Sequence, residues 1–245
     1  MNMWTYSEYI LFFGLYSFLG WMLETAFASI TSKQIVNRGF LTGFFCPIYG
    51  FGAVLTVQCS TLVRSYFTNS IAALIVCVMT SVILVTTLEY ITGFILEKIF
   101  NSKWWDYSDF SGNIHGYICI KYSLLWGVLA FVLVQSIHPM IARIIFNMSA
   151  TSKERGAEIL LIYLMIDTIK SIIDALELRD IIVNYSNLSA SKCREKLLNY
   201  KRIFFAFPYL WVSNASAVNR DIRRIINNGF DKIKFEIKNK FQEPL

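Results

Sequence analysis

The chain has 245 residues, of which 55% are hydrophobic and 16% charged, and its mean hydropathy is +0.47. Soluble domains carry about a quarter charged residues, so an ordinary soluble domain is excluded and an integral helical membrane protein remains. The net charge of +6 collects near the end of the chain, which suits a tail at a membrane surface and offers no sign of a nucleic-acid site.

In chain order, the first apolar run, Tyr9 to Ile30, predicts a bilayer-crossing helix with Glu24 roughly two turns from its far end. It has no basic leader and no small-residue cleavage site, so it reads as a retained span rather than a signal peptide. Thr31 to Arg38 is a polar turn. A second span is expected from Leu41 to Val63, with Pro47 making its entrance non-helical or kinked. The third, Ile71 to Leu96, has Glu89 and Glu97 toward its end. Asn101 to His115 is rich in aromatics and carboxylates. The fourth span, Tyr117 to Ile137, meets Pro139, and Met140 to Phe146 reads as a separate interfacial helix. Ser149 to Gly156 is polar. The fifth span, Ile159 to Ile182, carries Asp167, Lys170, Asp174 and Glu177.

Composition changes at Asn184, dividing the chain into a transmembrane domain, 1–183, and a basic tail, 184–245. Ile203 to Val212 is too short to span. Ile222, Ile226, Phe230, Ile233, Ile237 and Phe241 repeat at helical spacing among basic residues, the pattern of an amphipathic helix. Five spans put the chain ends on opposite faces. Excess Lys and Arg favour an outside N-terminus and a cytoplasmic C-terminus.

The spans also predict an internal repeat, about 9–63 and 71–137. Gly93-Phe94-Ile95-Leu96-Glu97 echoes Gly20-Trp21-Met22-Leu23-Glu24, 73 positions earlier. Gly116-Tyr117-Ile118 echoes Gly39-Phe40-Leu41, and Leu125-Trp126-Gly127 echoes Ile48-Tyr49-Gly50, both at an offset of 77. The expected architecture is therefore all-α: two tandem parallel copies of a helical hairpin, a fifth span, and the tail.

Ionisable groups inside a bilayer are costly and tend to face a partner or a wet cavity. Glu24 and Glu97 are candidates for a vestibule, with Arg38 as counter-charge. The plainer alternative is that they only fix the turns, pairing with Arg38 or Lys98. Asp167, Lys170, Asp174 and Glu177 form one helical stripe with Lys170 spaced to pair with its neighbours. It is either a structural stripe or a proton or substrate relay. Gly39, Gly43, Gly50 and Gly52 suit close helix packing, with a broken-helix ligand site near Pro47 as the alternative. Trp104 to Asp109 fits an aromatic belt better than a recognition loop. His115 and His138 are isolated, the five cysteines contain no Cys-x-x-Cys, and no metal or cofactor is implied. Asp106, Ser108 and His115 have no spacing that fixes a triad. No P-loop motif occurs, so the chain does not bind nucleotide that way.

Three motif blocks carry a resemblance. The first is Gly20-Trp21, Glu24, Asn37-Arg38-Gly39-Phe40-Leu41 and Cys46-Pro47-Ile48-Tyr49-Gly50-Phe51-Gly52. The second is Glu89-Tyr90, Leu96-Glu97-Lys98, Trp105-Asp106-Tyr107-Ser108, Asn113, Gly116, Cys119 and Trp126-Gly127. The third is His138-Pro139 with Asp167 to Ser171. Together they resemble the bacterial CmpB-type ABC-transporter permeases over Tyr9 to Ile182, and more faintly around Phe205 to Pro208. Phe44 stands where the family pattern has proline, and Ile114-His115 precedes Gly116.

The resemblance implies a permease-like transport component in a bacterial plasma membrane, substrate unknown. Its ATPase would be a separate chain, and a homo-oligomer is compatible with it. Asn37, Glu89, Asp106 and Asn113 join the candidate cavity residues on these motifs. Two other readings stand beside it: a non-transporting scaffold or regulator, and, less favoured, a membrane-embedded enzyme using Glu24, Glu97, Arg38 or Asp106. The tail would contact anionic lipid or the ATPase.

Overall fold

A computed structural model describes residues 4–183, 199–208 and 210–212. Its helices are α1 (Tyr6–Ser32), α2 (Pro47–Tyr66), α3 (Ser70–Phe100), α4 (Ile120–Val132), α5 (His138–Phe146), α6 (Ala150–Val183) and α7 (Lys201–Ala206). A π turn, Leu133–Ile137, joins α4 to α5. Two short strands, β1 (Ser102–Lys103) and β2 (Trp211–Val212), pair antiparallel. The amphipathic helix expected over Ile222 to Phe241 lies outside the described residues.

Local chemistry sets the helix ends. Thr5 caps α1: its hydroxyl accepts the Glu8 N–H, and the Glu8 carboxylate accepts the Thr5 N–H at 2.9 Å. The other Glu8 oxygen binds Lys153 at 2.7 Å, tying α1 to the start of α6. Pro47 opens α2, where its missing N–H costs nothing. Asn69 caps α3 through the N–H groups of Ile71 and Ala72. Asn101 closes α3 in the left-handed conformation asparagine tolerates.

Three helical stretches are long and apolar enough to cross a membrane: Tyr6–Ser32, Ser70–Phe100 and Ile120–Phe146. The last corrects two expectations. Pro139 does not end the fourth helix, and Met140 to Phe146 is not a separate one. Proline cannot bond the carbonyl four residues back, here that of Gln135, and the π turn widens the backbone at that residue. The helix therefore runs on to Phe146. α2 is not among the three: Gly50, Gly52, Thr56, Gln58 and Ser60 dilute its hydropathy. α6 is not either, because charged residues recur from Lys153 to Asp180. α2 starts six residues later than expected, and α6 starts nine residues earlier.

α1 packs on α2 and α6, α2 on α3, and α3 on α4. The α1–α2 approach is close. A Cβ at Gly20 would lie 2.2 Å from Tyr49 Cβ, and one at Gly50 would lie 2.1 Å from Ser17 Oγ. Two apolar clusters anchor the ends. Phe12, Tyr16, Ile141, Ala142 and Ile145 meet at the Glu8 end. Phe100, Trp104, Leu178, Ile182, Ile203 and Leu210 meet at the opposite end, where the segment containing α7 docks.

Candidate functional site

Between α1 and α2 the chain runs without helix from Gln34 to Cys46. Backbone polar groups in such a stretch need partners if it sits in a membrane bundle. Side chains from three helices and from the stretch itself supply them. From α1, Ser29 Oγ accepts the Val36 N–H at 3.0 Å and Thr25 Oγ1 accepts that of Arg38 at 3.2 Å. From α6, Asp167 accepts the N–H groups of Thr42 and Gly43 at 3.0–3.2 Å, and Ser171 accepts Thr42 N–H at 2.9 Å. Asn37, held by Trp21 Nε1 at 2.7 Å, donates to the Thr42 carbonyl at 2.9 Å. From α7, the Arg202 guanidinium donates to the carbonyls of Gly39, Phe40 and Leu41 at 3.1–3.2 Å. Gly39 has φ of +137°, which a side chain would strain.

This turn aims Tyr49 and Arg38 at Glu24. The Tyr49 hydroxyl donates to Glu24 at 2.7 Å, and Arg38 Nε stands 3.2 Å from the other carboxylate oxygen. Glu89 on α3 is buried. It accepts from Trp126 Nε1 of α4 at 2.9 Å and from the Tyr107 hydroxyl at 3.3 Å. The Tyr49 and Trp126 rings, one from each half, lie 5.1 Å apart. The charge of Glu24 is felt at Glu89 and at Tyr107. Burial, and then Glu89, holds the Tyr107 phenol well above the ordinary tyrosine range, so it remains a donor. Glu24, Tyr49, Trp126, Glu89 and Tyr107 thus form one polar cluster across the two halves.

Other candidates sit elsewhere. Glu97 accepts from the Tyr117 hydroxyl at 2.8 Å, while Lys98 lies over the Phe94 ring. The structure joins Glu24 to Glu89, whereas the sequence paired it with Glu97. Glu89 lies eleven residues before the end of α3 and Trp126 is the seventh residue of α4, so side-chain reach, which spacing does not show, brings them together. Asp106 accepts from Ser108 at its own loop tip and stands 3.7 Å from Lys103. Asn113 donates to the carbonyls of Ser108 and Phe110.

The expected Lys170 pairs are absent: Lys170 is exposed and makes no ion pair among the described residues. Asp167 turns instead to the α1–α2 stretch, and its charge and that of Asp174 reach Arg202. Glu177 accepts from the Tyr200 hydroxyl. His138 bonds Tyr16 at 2.7 Å and His115 bonds Tyr90 at 3.2 Å. No group of three potential metal ligands occurs among the described residues. A cavity of about 470 Å³ lies between α1, α2 and α6, away from the polar cluster, lined by apolar side chains such as Phe13, Phe51, Val54 and Leu164.

Sequence reasoning missed Tyr49, Trp126, Tyr107, Ser171 and Arg202 as parts of this arrangement. Tyr49 and Trp126 had a signal, since they occupy matching places in the two motif blocks. Arg202 had none, being one basic residue among many in the tail.

Apolar helices of bilayer-crossing length, with carboxylates satisfied inside the bundle, define a polytopic helical membrane protein. The chain belongs to the family described as "Putative ABC-transporter type IV", whose family model matches residues 11–172. No curated protein and no solved structure matches it.

Proposed function

We propose that the chain is the permease-like membrane component of a transport system, with its pathway at the contact between two repeated hairpins. The observation that carries this is the polar cluster itself. Two carboxylates, one from each half, meet through Tyr49 and Trp126 inside the helical bundle. Interior carboxylates mark substrate or ion paths when they are wet. In this reading α2 and α6 also cross the membrane, giving five spans, and the chain carries no ATPase of its own. The family membership supports a separate ATPase as partner. Lys33, Arg38, Lys98, Lys103 and Arg202 gather at one end of the bundle, which supports a cytoplasmic C-terminus. Glu24 and Glu89 then line the path, Arg38 balances Glu24, and Glu97, Asp106, Asn37 and Asn113 shape the turns around it. Asp167 holds the first turn in place, and Lys170 faces outward.

The test is solvent access. A chain freed of native cysteines and carrying Trp126→Cys is placed in sealed vesicles. A charged, membrane-impermeant thiol reagent should label it from one side. No labelling from either side would overturn the pathway. A scaffold reading draws on the apolar lining of the cavity between α1, α2 and α6. It predicts that the Trp126→Cys thiol stays unlabelled.

A further inference from the structure

Three successive carbonyl oxygens, those of Gly39, Phe40 and Leu41, converge on a single guanidinium. Successive carbonyls in regular backbone do not share one donor group, and the positive φ of Gly39 is what turns them together here. We propose that this turn is a binding site for a guanidinium or primary ammonium group, and that Arg202 is its tethered occupant, plugging the tail-side mouth of the pathway. The plugging half of the proposal rests on the pathway reading above; the cation site does not.

The surroundings suit a cation. Carbonyl oxygens carry partial negative charge, and Asp174 and Asp167 add full charges within electrostatic range. Burial pulls the arginine below its ordinary pKa and those two carboxylates oppose that pull, yet a guanidinium stays charged at any physiological pH. The planar fork spreads its donors so that Nη1 serves Gly39 and Leu41 while Nη2 serves Phe40.

The rest of the segment is held without this charge. Tyr200 bonds Glu177, Ile203 and Leu210 join the apolar cluster, Phe207 meets Trp104 edge-on at 4.8 Å, and β2 pairs with β1. Removing the guanidinium therefore empties the carbonyl cradle while leaving the segment docked. What lies beneath is the approach to the polar cluster. Arg38, the partner of Glu24, packs on the Phe207 ring at 6.0 Å, and Cys46 and Tyr49 follow the turn directly.

Cys46 is a reporter already in place. It is buried, and burial, then the negative charge of Glu24, pushes its thiol up to about 12, so it is unreactive at neutral pH. In the full-length chain in lipid vesicles, Cys59, Cys77, Cys119 and Cys193 are replaced by serine and Cys46 labelling by a maleimide is timed. Arg202→Ala should raise the rate roughly tenfold, the population change that corresponds to about 1.4 kcal/mol. Millimolar guanidinium chloride should restore protection, and sodium chloride at equal ionic strength should not. Arg202→Lys, with one compact donor group, should fall between. An unchanged rate in Arg202→Ala overturns the proposal, as does a raised rate on which guanidinium acts no better than sodium.

The Trp126→Cys reporter separates the two readings. Faster tail-side labelling in the Arg202→Ala background supports the plug. No labelling in either background, with Cys46 behaving as expected, overturns the pathway and the plug while leaving the cation site standing.

Discussion

The two connections at the tail side of the bundle solve one problem in opposite ways. The stretch from Gln34 to Cys46 hands its backbone groups to residues far along the chain: Asp167 and Ser171 on α6, and Arg202 on α7. The loop between β1 and α4 is longer, yet it satisfies itself. Tyr107 N–H bonds the Gly116 carbonyl at 2.8 Å, and Ile114 pairs with Ile118. Asp106 receives Ser108, and Asn113 bridges two carbonyls of its own loop. Both connections use a glycine at positive φ, Gly39 and Gly116. The second connection draws its backbone partners from its neighbours, whereas the first draws part of its own from α6 and α7. A connection held from outside is the one that an outside event can release.

The largest expected effect falls on the first connection. Asp167→Ala takes the charged acceptor from the half-buried N–H groups of Thr42 and Gly43, with only Thr42 keeping a partner in Ser171, a loss of about 3 kcal/mol. The melting temperature in detergent should fall by roughly 10 °C. Asp167→Asn keeps an acceptor and should lose about half as much. Equal stability of Asp167→Ala and the parent would mean the stretch holds itself, and the contrast would vanish.

Next comes the contact beneath both connections. Glu89→Leu strips the acceptor from Trp126 Nε1 and the Tyr107 hydroxyl, and should cost about 2 kcal/mol. Glu89→Gln retains an acceptor of the same shape, so its melting curve should stay close to the parent while any carboxylate-dependent transport is lost. Full transport by the Gln variant would leave Glu89 a structural residue.

Asp106→Ala should do less, about 1 kcal/mol, because the loop is exposed and its other bonds remain. Hydrogen exchange should rise over residues 104–119 and stay unchanged over 34–46. Loss of protection in both would show that the second connection is not autonomous.

How much of this was legible follows the range of the interactions. Helix interiors and the polar breaks between them came from local hydropathy, and Pro47 signalled the non-helical entrance to α2 although the span was expected to begin at Leu41. Pro139 misled, because a π turn can absorb a proline and nothing in residue spacing shows that a helix has one. The pairing of Glu24 with Arg38 was within reach, since only the last two turns of α1 and a short polar turn separate them. Asp167 was visible as a costly charge, but its partners were misread: a stripe at helical spacing suggests Lys170, while the backbone N–H groups of Thr42 and Gly43 carry no sequence signature at all. Arg202 lay beyond reach for the same reason, since three carbonyls look alike in any sequence. What spacing encodes is the repeat of side chains, and the first connection is held through the backbone.

The smallest effect is also the most direct probe of how the halves meet. Tyr49 and Trp126 approach at 5.1 Å with their planes tilted by 60°, and each is fixed by a carboxylate of its own half. Aromatic pairs of this kind contribute about 0.5–1.5 kcal/mol beyond the area they bury. A double-mutant cycle with Tyr49→Leu and Trp126→Leu should therefore return a coupling of about 0.5–1 kcal/mol, well below either single loss. Repeating the cycle in the Asp167→Ala background turns it into a test of the comparison. Tyr49 sits three residues past the externally held stretch, whereas Trp126 belongs to the half whose connection holds itself. If α6 positions the first half against the second, releasing the stretch should shrink the coupling toward zero while Trp126 keeps its bond to Glu89. A coupling that survives intact would place the register between the halves in the helices themselves, independent of how the first connection is held.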